Sequence, residues 1–404
     1  MYSITNVLKS GSHRIRSALG RAQTFDEEDP SRYSPGSYRP IRIDDGKLGY
    51  GLYSTVWFVR NSQTNQHVAL NILTADSFGG KKAIFEVDIP RCLASNYRDG
   101  ITREHTLGAN YIVGLQDAFK HSDLNGRHVC LVFKPMGSDM SHYRNLFSRA
   151  KLPIPVAKKV TKELLIALAF LHDSCQVIHT DIKPQNILIE TSEINEMFQY
   201  ALLIDFGTST HMCSTYVPVV LNGMLKSSFL TTIFIASWPQ MLRSPEVTLG
   251  TPWDHKVDIW NLGLIIWEFA QGKLIFDGQA TATSAYSSQA HLAQMKAILG
   301  TFPNTLLDRS ESCYTFFDAD GHLISGIHFP PVTRRELCDR FQYPVGQYLE
   351  DFLAFLESTL ALELRKRPDA RELLDIRWLR DVRWDRESRY FSTWDVLPGM
   401  KNMS

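Results

Sequence analysis

Two short apolar runs each lead into a polar loop, and this pair limits what the chain can fold into more than any other feature. Val177-Ile178 runs into His179-Thr180-Asp181-Ile182-Lys183-Pro184-Gln185-Asn186, and Ala201-Leu202-Leu203-Ile204 runs into Asp205-Phe206-Gly207. Short apolar, β-branched runs of this kind are expected to be strands. Two such strands bring Asp181, Asn186 and Asp205 to one place. A carboxylate, an amide oxygen and a second carboxylate are what a phosphoryl-transfer site needs. The first carboxylate, Asp181, orients a hydroxyl nucleophile and accepts its proton, while Asn186 and Asp205 hold Mg²⁺ against phosphates. Lys183, two residues past Asp181, is placed to neutralise charge developing on the transferred group.

Length and charge narrow the alternatives. A chain of 404 residues buries a large core and is expected to divide into at least two lobes. Its 43 basic and 43 acidic residues cancel, so no global field draws it to nucleic acid or to an anionic membrane. Neither partner is expected. The six cysteines are scattered with no C-x-x-C pair, which fits a reducing compartment, cytoplasm or nucleus, and argues against zinc or a disulfide framework. Residues 1–25 carry Lys9, Arg14, Arg16 and Arg21 with several serines and no acid. The expectation is a disordered basic tail, with a mitochondrial transit peptide as the lesser alternative. The apolar patch from Tyr216 to Trp238 is interrupted by Asn222, Lys226, Ser227 and Ser228, polar groups that would be costly in hydrocarbon.

The rest of the chain supplies elements around that core. Asp26 to Asp29, then Pro30, Pro35, Gly36 and Pro40, form a linker, and 39–43 are expected to be a short strand. The stretch from Leu48 to Val59 places Gly49-Tyr50-Gly51 before an alternating apolar segment, a hairpin signal. Glycines there let backbone N–H groups approach phosphate oxygens, although a lone G-x-G is more often an ordinary turn. Strands are expected at 67–73 and 129–133, and helices at 82–94 and 164–172. Pro90 removes the N–H that would bond the carbonyl of Glu86, so the first of these helices bends or breaks there. The segment from Asp258 to Phe269 is apolar almost all round and belongs in the centre of a large lobe, with Asp258 expected to cap it. Amphipathic stretches follow at 292–299, 348–362 and 370–379.

Residues from about 32 to 380 resemble a eukaryotic protein kinase domain, and within that group the SR-protein kinase family in its fungal form. Four stretches carry the resemblance: R-Y-S-P-G-S-Y-R-P-I-R-I at 32–43, L-G-Y-G-L-Y-S-T-V-W at 48–57, H-V-C-L-V-F at 128–133 and H-T-D-I-K-P-Q-N at 179–186. The resemblance implies an α+β, bilobal fold. A disordered tail would occupy 1–31, a small β-rich N-lobe 32–134, a larger helical C-lobe 135–380, and an extension 381–404. It implies ATP and Mg²⁺ as cofactors and transfer of the γ-phosphoryl group to protein serines, in this family those of arginine/serine-rich splicing factors. The catalytic groups would be Asp181 and Lys183, the metal ligands Asn186 and Asp205. Nucleotide would lie in the cleft between lobes against Gly49, Tyr50, Gly51, Ser54, Val56, Ala69, Asn71, Glu86, Phe133, Met136 and Leu188. Arg243-Ser244-Pro245-Glu246-Val247 matches the A-P-E segment, and a kinase arginine pairs with its glutamate, so a buried Arg367–Glu246 pair is expected. A monomer is the expected state.

The chain departs from the family at definite places. Asn71 stands where the phosphate-gripping lysine is expected, so Glu86 lacks its usual partner. Lys134 sits at the hinge in place of an acid, whereas Ser54 at the third glycine position is shared with the SR-protein kinases. Between Ile43 and Gly49 the chain is too short for the family's full first strand. Thr180, itself one of the features that carry the resemblance, stands where protein kinases more commonly have the arginine that receives an activation-loop phosphate, so activity is expected not to depend on that phosphate. The apolar piece from Leu225 to Trp238 matches nothing in the pattern and is either an insertion on the lower lobe or a gene-model error. Two functions follow. One is an active serine/threonine kinase. The other is a pseudokinase, a binding or scaffold module without efficient catalysis because Asn71 supplies no charge.

Overall fold

The computed structural model describes residues 46–50, 54–61, 64–75, 108–190, 225–226, 240–324, 326–341 and 346–382. The expected strands at 39–43 and 201–204 and the helix at 82–94 lie outside these residues. The chain divides into two units, one built on a sheet and the other on helices.

In the first unit, β1 (Gly46–Tyr50), β2 (Ser54–Arg60), β3 (His67–Leu73), β4 (Leu115–Asp123) and β5 (Gly126–Phe133) form an antiparallel sheet in the order β1-β2-β3-β5-β4. A first strand therefore does form: β1 is five residues long and pairs with β2 through a register shift between Lys47 and Gly49. Alternation along the strands gives the sheet two faces. Trp57, Val68, Leu70, Ile72, Cys130 and Val132 pack on one, and Leu73, Val129 and Leu131 with Leu115, Ala118 and Phe133 on the other. The β4–β5 hairpin is fixed by His128, whose ring nitrogens bond the Leu73 carbonyl at 2.9 Å and Asp123 Oδ1 at 3.3 Å.

In the second unit, α1 (Ile154–Ala169) starts behind Pro153 and runs into a π turn, Phe170–Ser174. It covers the expected helix at 164–172 and buries Leu164, Leu165 and Leu168 completely. The central helix, α2 (Lys256–Gln271), is apolar on nearly every side and buries Ile259, Trp260, Leu262, Ile265 and Phe269. Three longer helices follow among the described residues: α3 (Ser288–Leu299), α4 (Arg334–Phe341) and α5 (Gln347–Thr359). Helix α5 packs on α2 at Gly263, where an added Cβ would come 2.5 Å from Thr359 Oγ1, so only glycine admits this approach. The stretch 370–379 forms a four-residue helix, Ala370–Leu373, opened by a capping box between Asp369 and Glu372, and then a 3₁₀ turn, Arg377–Leu379.

Two short strands complete the helical unit. β6 (Val177–Ile178) pairs antiparallel with β7 (Leu225–Lys226). The apolar piece beginning at Leu225 thus contributes its first two residues as a partner for the strand that delivers the Asp181 loop. Among the described residues no helix is long and apolar enough to cross a membrane.

Candidate active site

Strand β6 ends at Ile178, and the loop after it is fixed from beneath by α2. Asp258, wholly buried in the first turn of α2, accepts the His179 N–H at Oδ2 (2.7 Å) and the Thr180 N–H at Oδ1 (2.8 Å). It also bonds His172 Nε2 at 2.8 Å. Asp258 was expected to cap its own helix and does not: the N-cap position is His255, which makes no side-chain cap bond. The loop's backbone donors take the carboxylate because they are equally buried and have no helix partner of their own. Burial alone would push the Asp258 carboxyl up. The His172 hydrogen bond, the His172 and His179 rings and the His179 N–H outweigh it and hold the group below its ordinary range.

This clamp holds a strained residue. Thr180 lies at φ 66°, in the left-handed region where a β-branched side chain is an outlier, at a cost of about 1–3 kcal/mol. Because the folded pKa of Asp258 is depressed, its stabilising contribution is full above the ordinary value of 3.8 and is lost as pH falls through the lower folded value. Urea midpoints measured from about pH 5 down to pH 2 are expected to fall more steeply for the native chain than for Asp258→Asn. Parallel slopes would remove the clamp's electrostatic role.

Beyond Thr180 the chain turns Asp181 into a defined arrangement. Asn186, 7 % exposed, donates from Nδ2 to the Asp181 carbonyl and to Asp181 Oδ2, both at 2.8 Å. Lys183 Nζ sits 2.9 Å from the same Oδ2. The Asp181 N–H donates to His179 Nδ1 at 3.2 Å, which makes that nitrogen an acceptor and leaves any proton on a neutral ring to Nε2. Asp181 Oδ1 is buried with no hydrogen-bond partner. One oxygen of the carboxylate is thus fixed by two donors, and the other has no hydrogen-bond partner. With Nδ2 committed, the atom Asn186 has left for a hard cation is its carbonyl oxygen, and this donor chemistry suits a divalent metal with oxygen ligands.

The residues after this loop are stitched to the start of the helical unit. Gly137 N–H donates to the Ile189 carbonyl, Ile189 N–H to that of Ser138, and Met140 N–H to that of Ile187. Leu188, half-buried, lies opposite Asp139 in this pairing. Asp139 was not singled out from sequence. It caps the helix Met140–Tyr143, accepting from Ser141 N–H and Oγ and from His142 N–H, and it pairs with the His142 ring. Its signal was the S-D-M-S run, an acid one position before a helix start. His172 and Asp258 had no comparable signal, because their partners are 86 residues apart in the chain.

On the sheet unit, Gly49 and Tyr50 lie on β1, Ser54 and Val56 on β2, Ala69 and Asn71 on β3, Phe133 at the end of β5, and Met136 just past it. The register joins several of them in rows. Gly49 faces Val56, Val56 faces Asn71 and Asn71 faces Leu131, while Ala69 faces Phe133. Val56, Ala69, Asn71 and Phe133 therefore share the face that carries Leu73, Val129 and Leu131. Gly51, Glu86 and Asp205 lie outside the described residues.

Comparison with known proteins decides the family. Residues 43–379 match the model of the protein kinase domain. The chain belongs to the protein kinase family. A serine/threonine-protein kinase SRPK of Physarum polycephalum is 27% identical over 398 residues, covering 87% of this chain and 91% of the relative. A serine/threonine protein kinase of Aspergillus fumigatus is 29% identical over 390 residues, with 88% and 91% covered. SRSF protein kinase 3 of Mus musculus is 34% identical over 185 residues, 44% of this chain and 32% of the relative. These relatives bear out the resemblance to SR-protein kinases, and the antiparallel sheet and helical units agree with the α+β kinase fold. Arg367 and Glu246 form the expected buried pair, with side chains 0% and 1% exposed.

Proposed function

We propose that this kinase transfers the γ-phosphoryl group of ATP to serine side chains of arginine/serine-rich proteins. The observation that carries the reading is the Asp181 carboxylate, with Oδ2 held by Asn186 and Lys183 and Oδ1 without a hydrogen-bond partner. A substrate serine hydroxyl donates to Oδ1, which orients the nucleophile and takes its proton as the serine oxygen bonds to the γ-phosphorus and the bond from that phosphorus to the bridging oxygen breaks, releasing ADP. Lys183 keeps the carboxylate in place and offers its charge to the phosphoryl oxygens. Mg²⁺, held by Asn186 and Asp205, would supply the charge that draws electron density from the phosphates. The relatives named SRPK and SRSF protein kinase support the substrate class. One observation favours the second reading, a nucleotide-binding module with little transfer: β3 carries the neutral Asn71 in place of a lysine.

Labelled ATP, Mg²⁺ and an arginine/serine-repeat peptide test both. The expected result is label on the repeat's serines, with a peptide in which glutamate replaces every arginine labelled at least about tenfold more slowly. Equal labelling would overturn the substrate class. Absence of label from every peptide, with ATP still bound, would decide for the binding module.

A further inference from the structure

In the two cross-strand rows that run through Asn71 and Ala69, the sheet face is apolar apart from one buried amide. Val56, Asn71 and Leu131 form one cross-strand row, and Phe58, Ala69 and Phe133 the next. Asn71 is 7 % exposed, and its Oδ1 is buried without a hydrogen-bond partner. Leaving a buried acceptor unpaired is unfavourable, and an apolar residue of similar size would avoid the loss. Val56 and Phe133, at opposite ends of these two rows, are only half-buried. A half-covered apolar face with one unsatisfied amide suits a flat, largely apolar ligand that carries a few N–H or O–H donors.

We infer that Asn71 sets the ligand preference of this face: it takes the nucleoside part of an adenine nucleotide and gives the phosphates no charge of its own. The inference rests on the nucleotide reading above and deepens it. An amide presents a dipole, and its oxygen and nitrogen can exchange places, so either orientation leaves a neutral contact. A lysine would present a unit charge, whose attraction for phosphate persists in a half-buried setting. Without it, this face adds no charge to hold the phosphates, and Lys183 is already engaged by Asp181, so the phosphates contribute to affinity chiefly when a divalent cation accompanies them. Asn71 thereby couples nucleotide binding to the metal more tightly than a lysine would.

Titration calorimetry on the full chain with adenosine, ADP and ATP, first in EDTA and then with Mg²⁺, reads this out without measuring catalysis. In EDTA, ATP and ADP are expected to bind no more than about threefold more tightly than adenosine, and Mg²⁺ to tighten both nucleotides while leaving adenosine unchanged. Asn71→Lys is expected to tighten metal-free ATP about tenfold and to leave adenosine unchanged. The native chain decides even if that variant fails to fold. Metal-free ATP bound more than about threefold more tightly than adenosine would overturn the inference and leave the nucleotide reading standing. Failure of all three ligands to bind under either condition would overturn the nucleotide reading, and the inference with it.

Discussion

Asp181→Asn is expected to lower phosphoryl transfer about 10²–10⁴-fold while the fold and ATP affinity persist. The size follows from which oxygen is lost. Oδ2 already accepts from Asn186 Nδ2 and lies 2.9 Å from Lys183 Nζ. In the variant the remaining carbonyl oxygen takes that place, because an amide N–H₂ cannot face two donors. The new N–H₂ then occupies the Oδ1 position, where it donates and cannot accept a proton. The side chain keeps its size, and Asn186 still bonds the Asp181 main-chain carbonyl. The loss should therefore fall on kcat, with KM for ATP and the unfolding midpoint nearly unchanged. Equal labelling of a serine peptide by the variant and the native chain would remove Asp181 from catalysis.

The sequence made this loop legible because everything Asp181 needs lies within eight residues, and local spacing sets the geometry. Asn186 is five positions on and Lys183 two, and both reach the same carboxylate oxygen. The strand at 67–73 was legible for a similar reason. A run of Val68, Ala69, Leu70, Ile72 and Leu73 has few alternatives to a buried strand, and Asn71 stands out against it. The platform under the loop was not legible. Asp258 looked like a helix cap because a cap is the only role that sequence neighbours can suggest. Its true partners, His179 and Thr180, are 79 and 78 residues earlier. The pairing of Leu225–Lys226 with Val177–Ile178 was hidden in the same way, since a two-residue strand carries no period.

Removing Arg367 is expected to cost about 3–5 kcal/mol of stability, among the largest single losses this fold offers. Its guanidinium is wholly buried. Nη2 donates to Glu246 Oε2 at 2.7 Å, Nη1 to Oε1, and Nε to the Ala361 carbonyl at 2.8 Å, while the group lies 4.9 Å from the centre of the Trp260 ring. Taking both charges out of water is costly, and the fork geometry offsets that cost only while both partners are present. Arg367→Met leaves Glu246 as an uncompensated carboxylate in a site with no access to solvent, and that penalty, more than the lost bonds, sets the size of the effect. It follows that Arg367→Met combined with Glu246→Leu should be more stable than Arg367→Met alone, because the stranded charge is gone. Urea unfolding of the native chain, each single variant and the double variant checks this through the sign of the coupling. If the double variant loses the sum of the two single losses, the pair acts through packing alone and the desolvation argument fails.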